Sequence, residues 1–200
     1  MSDGPETLIG RSPTRVDAHD KVTGAAAFPA DAVPADALHA VAVFTNQPHA
    51  RLVTFDASEA EALDEVVTVV TAADVPVNEY GLNICDQPVL VGLDDTGRSE
   101  VRSDISRWEA DHLAVVVGET PEAARAGARA LAVEWEPLPL APDLEAALTD
   151  EVLVHAETAP SNTYYEKRIR KGDVEAGWAE ADVVIEGRYE LPHQEHAFLQ

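Results

Sequence analysis

Thiols are almost absent: Cys85 is the single cysteine among 200 residues, which excludes an intramolecular disulfide framework and any cluster or zinc site drawing several thiolates from this chain. Basic residues are scarce as well. Lysine and arginine number 14 against 37 acidic residues, a formal charge of -23 that repels phosphate backbones and anionic lipid surfaces. Nucleic acid and membrane are therefore not expected as partners. No apolar run approaches the roughly 18 residues of a membrane span, and Met1-Ser2-Asp3-Gly4-Pro5-Glu6 lacks the basic and apolar regions of a signal peptide, so the expected compartment is the cytoplasm. Missing too are a glycine-rich phosphate loop, a nucleophile elbow and a thiol pair. No self-sufficient catalytic set can be assembled from these residues.

What is present suffices for a core, since 46% of the residues are hydrophobic in a chain long enough to bury them. Residues 1 to 37 carry Pro5, Pro13, Pro29 and Pro34 and read as mostly irregular. Within them Arg15 to Gly24 reads as a solvated charged loop whose closing glycine can take positive φ. From Leu38 the pattern turns strand-like. Leu38 to Phe44 and Ala50 to Asp56 are β-rich runs, joined by Thr45 to His49 as a connection between neighbouring strands. Ser58 with Glu61 resembles a capping box opening a short helix, and Val66 to Thr71 follows as a buried strand.

Residues 73 to 107 hold Pro76, Gly81, Pro88, Gly92 and Gly97 and read as a long excursion with little regular structure, a length that goes with binding or interface roles. Leu113 to Gly118 is continuously apolar and predicts a strand covered on two faces. Thr120-Pro121-Glu122 predicts a helix start running through Ala130 into a strand over Leu131 to Glu136. That strand, helix, strand order favours an α/β class, mixed α+β in detail, over a sandwich. The prolines of Pro137 to Pro142 mark an extended connector. Beyond it come a short helix from Asp143 to Leu148, a basic island Lys167-Arg168-Ile169-Arg170-Lys171 read as a solvated segment, a helix capped by Asp173 through Ala181, and a strand from Val183 to Leu191.

The chemistry-bearing stretch is Leu191-Pro192-His193-Gln194-Glu195-His196-Ala197. His193 and His196 would share one face of a helix, as zinc sites use. Pro192 and the preceding strand favour extended backbone instead, where positions three apart face opposite ways, so no metal site is assigned to the pair. His19, His39, His49, His112 and His155 are scattered and read as surface or satisfied core histidines.

Taken in order, the motifs carry a resemblance. Arg15-Val16-Asp17 with Asp20-Lys21-Val22-Thr23-Gly24-Ala25-Ala26, Pro48-His49-Ala50-Arg51-Leu52 with Asp56, Thr71-Ala72-Ala73-Asp74-Val75-Pro76, Asp86-Gln87-Pro88-Val89-Leu90 and Val133-Glu134-Trp135-Glu136-Pro137-Leu138-Pro139 resemble the molybdenum-binding large subunit of the xanthine dehydrogenase and aldehyde oxidase family. Gly172-Asp173-Val174-Glu175, Ala181-Asp182-Val183-Val184 and Gln194-Glu195-His196-Ala197 continue the same order.

The resemblance implies an N-terminal extended segment over 1–19, an a/b hammerhead domain over 20–140, and a linker with the first elements of a molybdopterin-binding domain over 141–200. It further implies that Gln194 approaches the oxo ligand of a molybdenum cofactor, with Glu195 and His196 beside it in a lesser role. A neutral amide suits that task because its NH2 donates without adding charge. Iron-sulfur clusters and FAD would sit on other subunits, in keeping with one cysteine. The implied reaction is hydroxylation of a purine such as xanthine, an N-heteroaromatic compound or an aldehyde, with water as the oxygen source. One motif departs: Trp108-Glu109-Ala110-Asp111-His112 stands where the family usually shows Gly-Glu-Pro or Gly-Gln-Pro. The family's later glycine-rich molybdopterin loops and its catalytic glutamate have no counterpart among these residues. The expectation is thus the N-terminal portion of a large subunit, inactive alone and completed by a second chain or the remainder of its own. The alternatives are a non-catalytic hammerhead module for binding or assembly and a truncated gene product.

Overall fold

The computed structural model describes residues 9–81, 85–93, 102–191 and 194. Its elements in chain order are α1 (Ala18–Thr23), β1 (His39–Phe44), β2 (Ala50–Asp56), α2 (Ser58–Glu61), β3 (Val66–Val70), β4 (Ile105–Ser106), β5 (His112–Gly118), α3 (Pro121–Ala130), β6 (Ala132–Pro137), α4 (Leu144–Leu148) and α5 (Val174–Glu180). The chain divides into two compact units, one over Leu38–Val174 and one combining Met1–Ala37 with Glu175–Gln200.

The larger unit holds both sheets, with strand orders β1-β5-β3 and β4-β2-β6. Every strand pair is antiparallel. Helices and strands thus mix as the α/β reading expects, but two pairings differ from the sequence expectation. β1 and β2 are not neighbours. The connection between them is tied elsewhere: Thr45 donates its N–H to Asp111 O at 2.8 Å and Asn46 to Glu109 O at 2.9 Å, while the buried Thr45 and Ser106 hydroxyls lie 2.7 Å apart. Asn46 takes φ 53°, a left-handed conformation that asparagine tolerates, and the chain turns out of the first sheet into the second. Likewise β5 and β6 flank α3 as expected, yet they belong to different sheets.

β5 is the central strand of its sheet and has both faces covered, as its apolar run predicts. Leu113 packs with Leu52 and Val91 on one side, and Ala114 and Val116 pack with Ala60 and Val69 on the other. Val43 and Phe55 border both clusters, which makes one continuous interior out of two sheets. α3 starts where expected, with Thr120 Oγ1 accepting from the Ala123 N–H at 3.1 Å. It lies close on the first sheet because Gly127 leaves room: a Cβ there would meet Val116 Cγ1 at 2.8 Å. Gly118 serves the same closeness at the helix start, where a Cβ would stand 2.7 Å from Ala124 N.

Two further expectations are corrected and a third is extended. β3 is an edge strand whose Val67 is 49% exposed, since α2 and α3 cover only part of it. α2 is not capped by Ser58, whose own N–H donates to Asp56 Oδ1 at 2.8 Å; the carboxylate two residues earlier takes the cap's place. The excursion over 73–107 contributes to the core. Asn78 is buried and closes it like a strand partner, donating Nδ2–H to Leu90 O and accepting the Leu90 N–H, both at 2.8 Å. This delivers Leu90 and Val91 into the interior.

In the smaller unit Ala18–Thr23 forms a helix within the stretch read as a loop. Gly24 ends it at φ 75°, in the left-handed region where glycine bears no Cβ penalty. Asp17 receives Arg15 Nε at 2.5 Å and Lys21 Nζ at 2.8 Å. Hydrogen bonding from Arg15, then from Lys21, holds its carboxyl well below the usual carboxylate range. Exposed pairs of this kind add little to stability. No strand forms over 183–191, where one was expected.

Candidate functional site

A strand needs a partner; a helix does not. Within the larger unit, the segment 143–162 forms no strand and is held by side-chain anchors. Asp143 caps α4 by accepting the Ala146 N–H at 2.8 Å. Asn162 then closes the following loop with its whole amide: Oδ1 accepts the Val154 N–H at 2.9 Å, and Nδ2 donates to Ala147 O at 2.9 Å and Val152 O at 2.7 Å. Its own N–H donates to Asp150 Oδ1 at 2.7 Å. Removing one amide strands one donor and two acceptors at once. Asn162→Ala is expected to destabilise this loop by about 1–3 kcal/mol, toward the lower end because the site is only part-buried. Faster proteolysis within 147–162, with the unfolding midpoint of the sheets little changed, is the result to look for.

Arg107 clamps the same loop to the second sheet. Its side chain is only 7% exposed. Nε donates to Val154 O at 2.9 Å, Nη1 to Ile105 O at 3.2 Å and Arg102 O at 3.3 Å, and Nη2 to Glu157 Oε1. Asp111 fixes the strand-end turn beneath it by accepting the N–H groups of Arg107 at 2.7 Å and Trp108 at 3.1 Å. Burial draws the guanidinium's pKa down, opposed by Asp111, Asp104 and Asp86, and it stays charged because arginine starts so high.

His155 stands against this clamp. It lines a cavity of about 250 Å³ with Arg107, Trp108 and Asp111 and a second of about 350 Å³ with Asp86, Asn162 and Tyr164. Its Nδ1 is buried without a hydrogen-bond partner, so it is neither a surface histidine nor a satisfied core one, contrary to the sequence reading. Burial first, then the Arg107 charge, lowers its pKa from 6.5, with Asp86 and Asp111 opposing and His49 adding. A histidine with a depressed folded pKa binds fewer protons folded than unfolded, so stability falls as pH drops below 6.5 toward the folded value. Accordingly, amide exchange over 151–162 is expected to accelerate as pH is lowered through that window, after correction for intrinsic rates, and His155→Phe should flatten the dependence.

Of the residues singled out in the sequence, Gln194 is described and is exposed. His193, Glu195 and His196 lie outside the described residues. Among the described residues no group of three or more His, Cys, Asp and Glu side chains could hold a metal ion. The Gln194 side chain is a neutral amide, able to donate and to accept a hydrogen bond. Arg107, Asp111, His155 and Asn162 were not found by sequence reasoning, because no local spacing links residues about fifty positions apart. Among the described residues no helix is long and apolar enough to cross a membrane.

Residues 23–139 match the family model described as "Aldehyde oxidase and xanthine dehydrogenase, a/b hammerhead domain", and residues 154–200 match "Molybdopterin cofactor-binding domain". The nicotinate dehydrogenase large molybdopterin subunit of Eubacterium barkeri is 32% identical over 195 residues, covering 96% of this chain and 43% of that protein. Xanthine dehydrogenase 1 of Arabidopsis thaliana is 32% identical over 198 residues, covering 97% of this chain and 13% of that protein. Among solved structures, the aldehyde oxidoreductase of Desulfovibrio gigas superposes with a TM-score of 0.67 at 27% identity, over 84% of this chain and 19% of that one. Quinoline 2-oxidoreductase of Pseudomonas putida 86 gives 0.64 at 28% identity, over 78% and 20%. The chain thus spans less than half the length of these relatives.

Proposed function

We propose, since the chain belongs to the aldehyde oxidase and xanthine dehydrogenase family of molybdenum hydroxylases, that it serves as the N-terminal portion of a large subunit in such an enzyme. The observation that carries this reading is the order of the two matches on one chain, hammerhead first and molybdopterin-binding second. We divide it into an N-terminal segment over 1–19, a hammerhead domain over 20–140, and a linker with molybdopterin-binding elements over 141–200.

When bound, the molybdenum cofactor supplies a two-electron oxidation in which water provides the oxygen. The chain's own contribution is narrower. Gln194 would hydrogen-bond the cofactor through its neutral amide, able to donate and accept without bringing a charge into the site, with Glu195 and His196 in a lesser role. Within the larger unit, Asn162 and Arg107 hold the loop over 147–162 in place. The chain supplies no complete catalytic set. Turnover belongs to an assembly with the remainder of the large subunit, an iron-sulfur subunit and an FAD subunit, in the cytoplasm. The substrate class is an N-heteroaromatic compound or an aldehyde, with a purine such as xanthine as the first to try.

Co-purification from native cells, followed by turnover assays, tests this. The expected result is oxidation of at least one substrate among xanthine, nicotinate and an aromatic aldehyde by the co-purified assembly, with none by the isolated chain. Stable partners but no oxidation of any of these would point instead to a non-catalytic hammerhead module.

A further inference from the structure

β2 carries a cation that the fold leaves without an acceptor. Arg51 pairs its backbone with Ile105 of β4 on one side and Glu136 of β6 on the other, so its side chain starts from a fixed point in the middle of the second sheet. Its Nε is buried and meets no hydrogen-bond partner among the described residues. Glu136 Oε2 stands 3.9 Å away, beyond hydrogen-bond reach. Leaving a buried donor of a charged group unpaired is costly, and native structures do it rarely. The side chain as a whole is 41% exposed, which leaves the outer guanidinium nitrogens open to a ligand.

Arg51 lines a cavity of about 290 Å³ that lies within the larger unit. Both walls of this cavity are fixed. On one, His49 donates from Nδ1 to Pro139 O at 2.5 Å, and Leu138 donates its N–H to His49 O at 3.0 Å. The other is the 151–157 part of the loop, held by Asn162 and Arg107. Ile105, Leu138, Val152 and Leu153 make the lining mainly apolar, and Glu151 and Glu157 are its acids. Arg107 neutralises Glu157, while Glu151 is exposed to water. A preformed, mostly apolar cavity with a few converging polar groups is the form that small-molecule sites take.

We infer that this cavity binds a small organic monocarboxylate. The carboxylate takes parallel hydrogen bonds from the Arg51 fork, whose planar shape matches it, and the apolar body of the ligand lies against Ile105, Leu138 and Leu153. Glu136 and Glu151 limit the charge, because each repels a second negative group on the ligand. A phosphate or a dicarboxylate is thereby disfavoured. The inference stands apart from the large-subunit reading, since every residue it uses lies in the larger unit and no cofactor takes part.

Calorimetric titration of the full chain with benzoate, with amide NMR shifts to locate the ligand, tests the site. Benzoate is expected to bind with a Kd of about 1 mM or tighter, in keeping with so small a ligand, and to shift amides within 49–51, 138–139 and 151–157. Benzamide, equal in shape but uncharged, should bind about tenfold more weakly or worse, and so should phthalate with its second carboxylate. Arg51→Gln should weaken benzoate about tenfold or more, and Arg51→Lys by less, because lysine keeps the charge without the fork. Ala156→Phe, at the exposed rim of the cavity, blocks it with Arg51 intact; benzoate binding should be lost there too, which keeps the test decisive if Arg51→Gln fails to fold. Glu151→Gln should tighten binding. Absence of benzoate binding, equal binding of benzoate and benzamide, shifts confined to other parts of the chain, or unchanged binding in Ala156→Phe would each overturn the site. So would loss of binding in the assembly recovered from native cells, which would show the cavity covered by a partner.

Discussion

Replacing Gln194 with alanine in the assembled enzyme is expected to lower kcat about 10- to 100-fold, the usual effect of removing a group that orients or hydrogen-bonds a metal site without ligating it. With the amide in the proposed donor role the loss belongs mainly to the reacting state, and KM for the substrate should move far less than kcat. Gln194→Glu is the sharper variant. It nearly preserves length but replaces the NH2 donor with an acceptor carrying charge, and activity should fall at least as far as in the alanine variant. Molybdenum content should stay within a few tenths of wild type in both, because the proposed role of Gln194 is a single neutral contact. Normal kcat in both variants would remove Gln194 from the site.

The second large effect concerns the fold. Leu52 is 2% exposed, on the middle strand of the second sheet, and packs with Val91 and Leu113. Truncation to alanine opens a cavity between groups drawn from three distant parts of the chain, which limits collapse around it. Leu52→Ala is therefore expected to destabilise the larger unit by about 2–5 kcal/mol, read as the shift in denaturant midpoint at constant slope. Trp135, which borders the same cluster, gives a local fluorescence signal for the transition. Val67→Ala, on the half-exposed edge strand, should stay within about 0.5 kcal/mol. Equal effects at the two positions would show that the interior described here is not where the stability resides.

The placement of β1, β2, β3, β5, α3 and β6 was legible because β-branched runs and the Thr120-Pro121 start are local signals. Their partners were not. What separates β1 from β2 is the attachment of Thr45 and Asn46 to residues 106–111, contacts across some sixty positions that no window of sequence contains. The core role of the 73–107 excursion was hidden for the same reason, since it turns on one asparagine, Asn78, standing in for a strand. Val183 to Leu191 teaches the converse. Its alternation is a sound strand signal, yet no strand forms there, because pairing is a property of two segments and alternation specifies only one.

The site divides along the same line. Gln194 is proposed from the order of motifs around it, because family resemblance carries positions that chemistry alone would pass over. Arg107, His155 and Asn162 were not legible, because a clamp closed by Arg107 on Val154 and Glu157 depends on the fold bringing distant loops together. The departure at Trp108 to His112 now has a structural setting, since Asp111 fixes the turn that aims Arg107.

Molybdenum stoichiometry bears most directly on the large-subunit account. Elemental analysis of the complex recovered on the tagged chain from native cells should find about one molybdenum per copy of the chain, together with a large partner polypeptide. A free monomer without a large partner and without molybdenum would contradict the account.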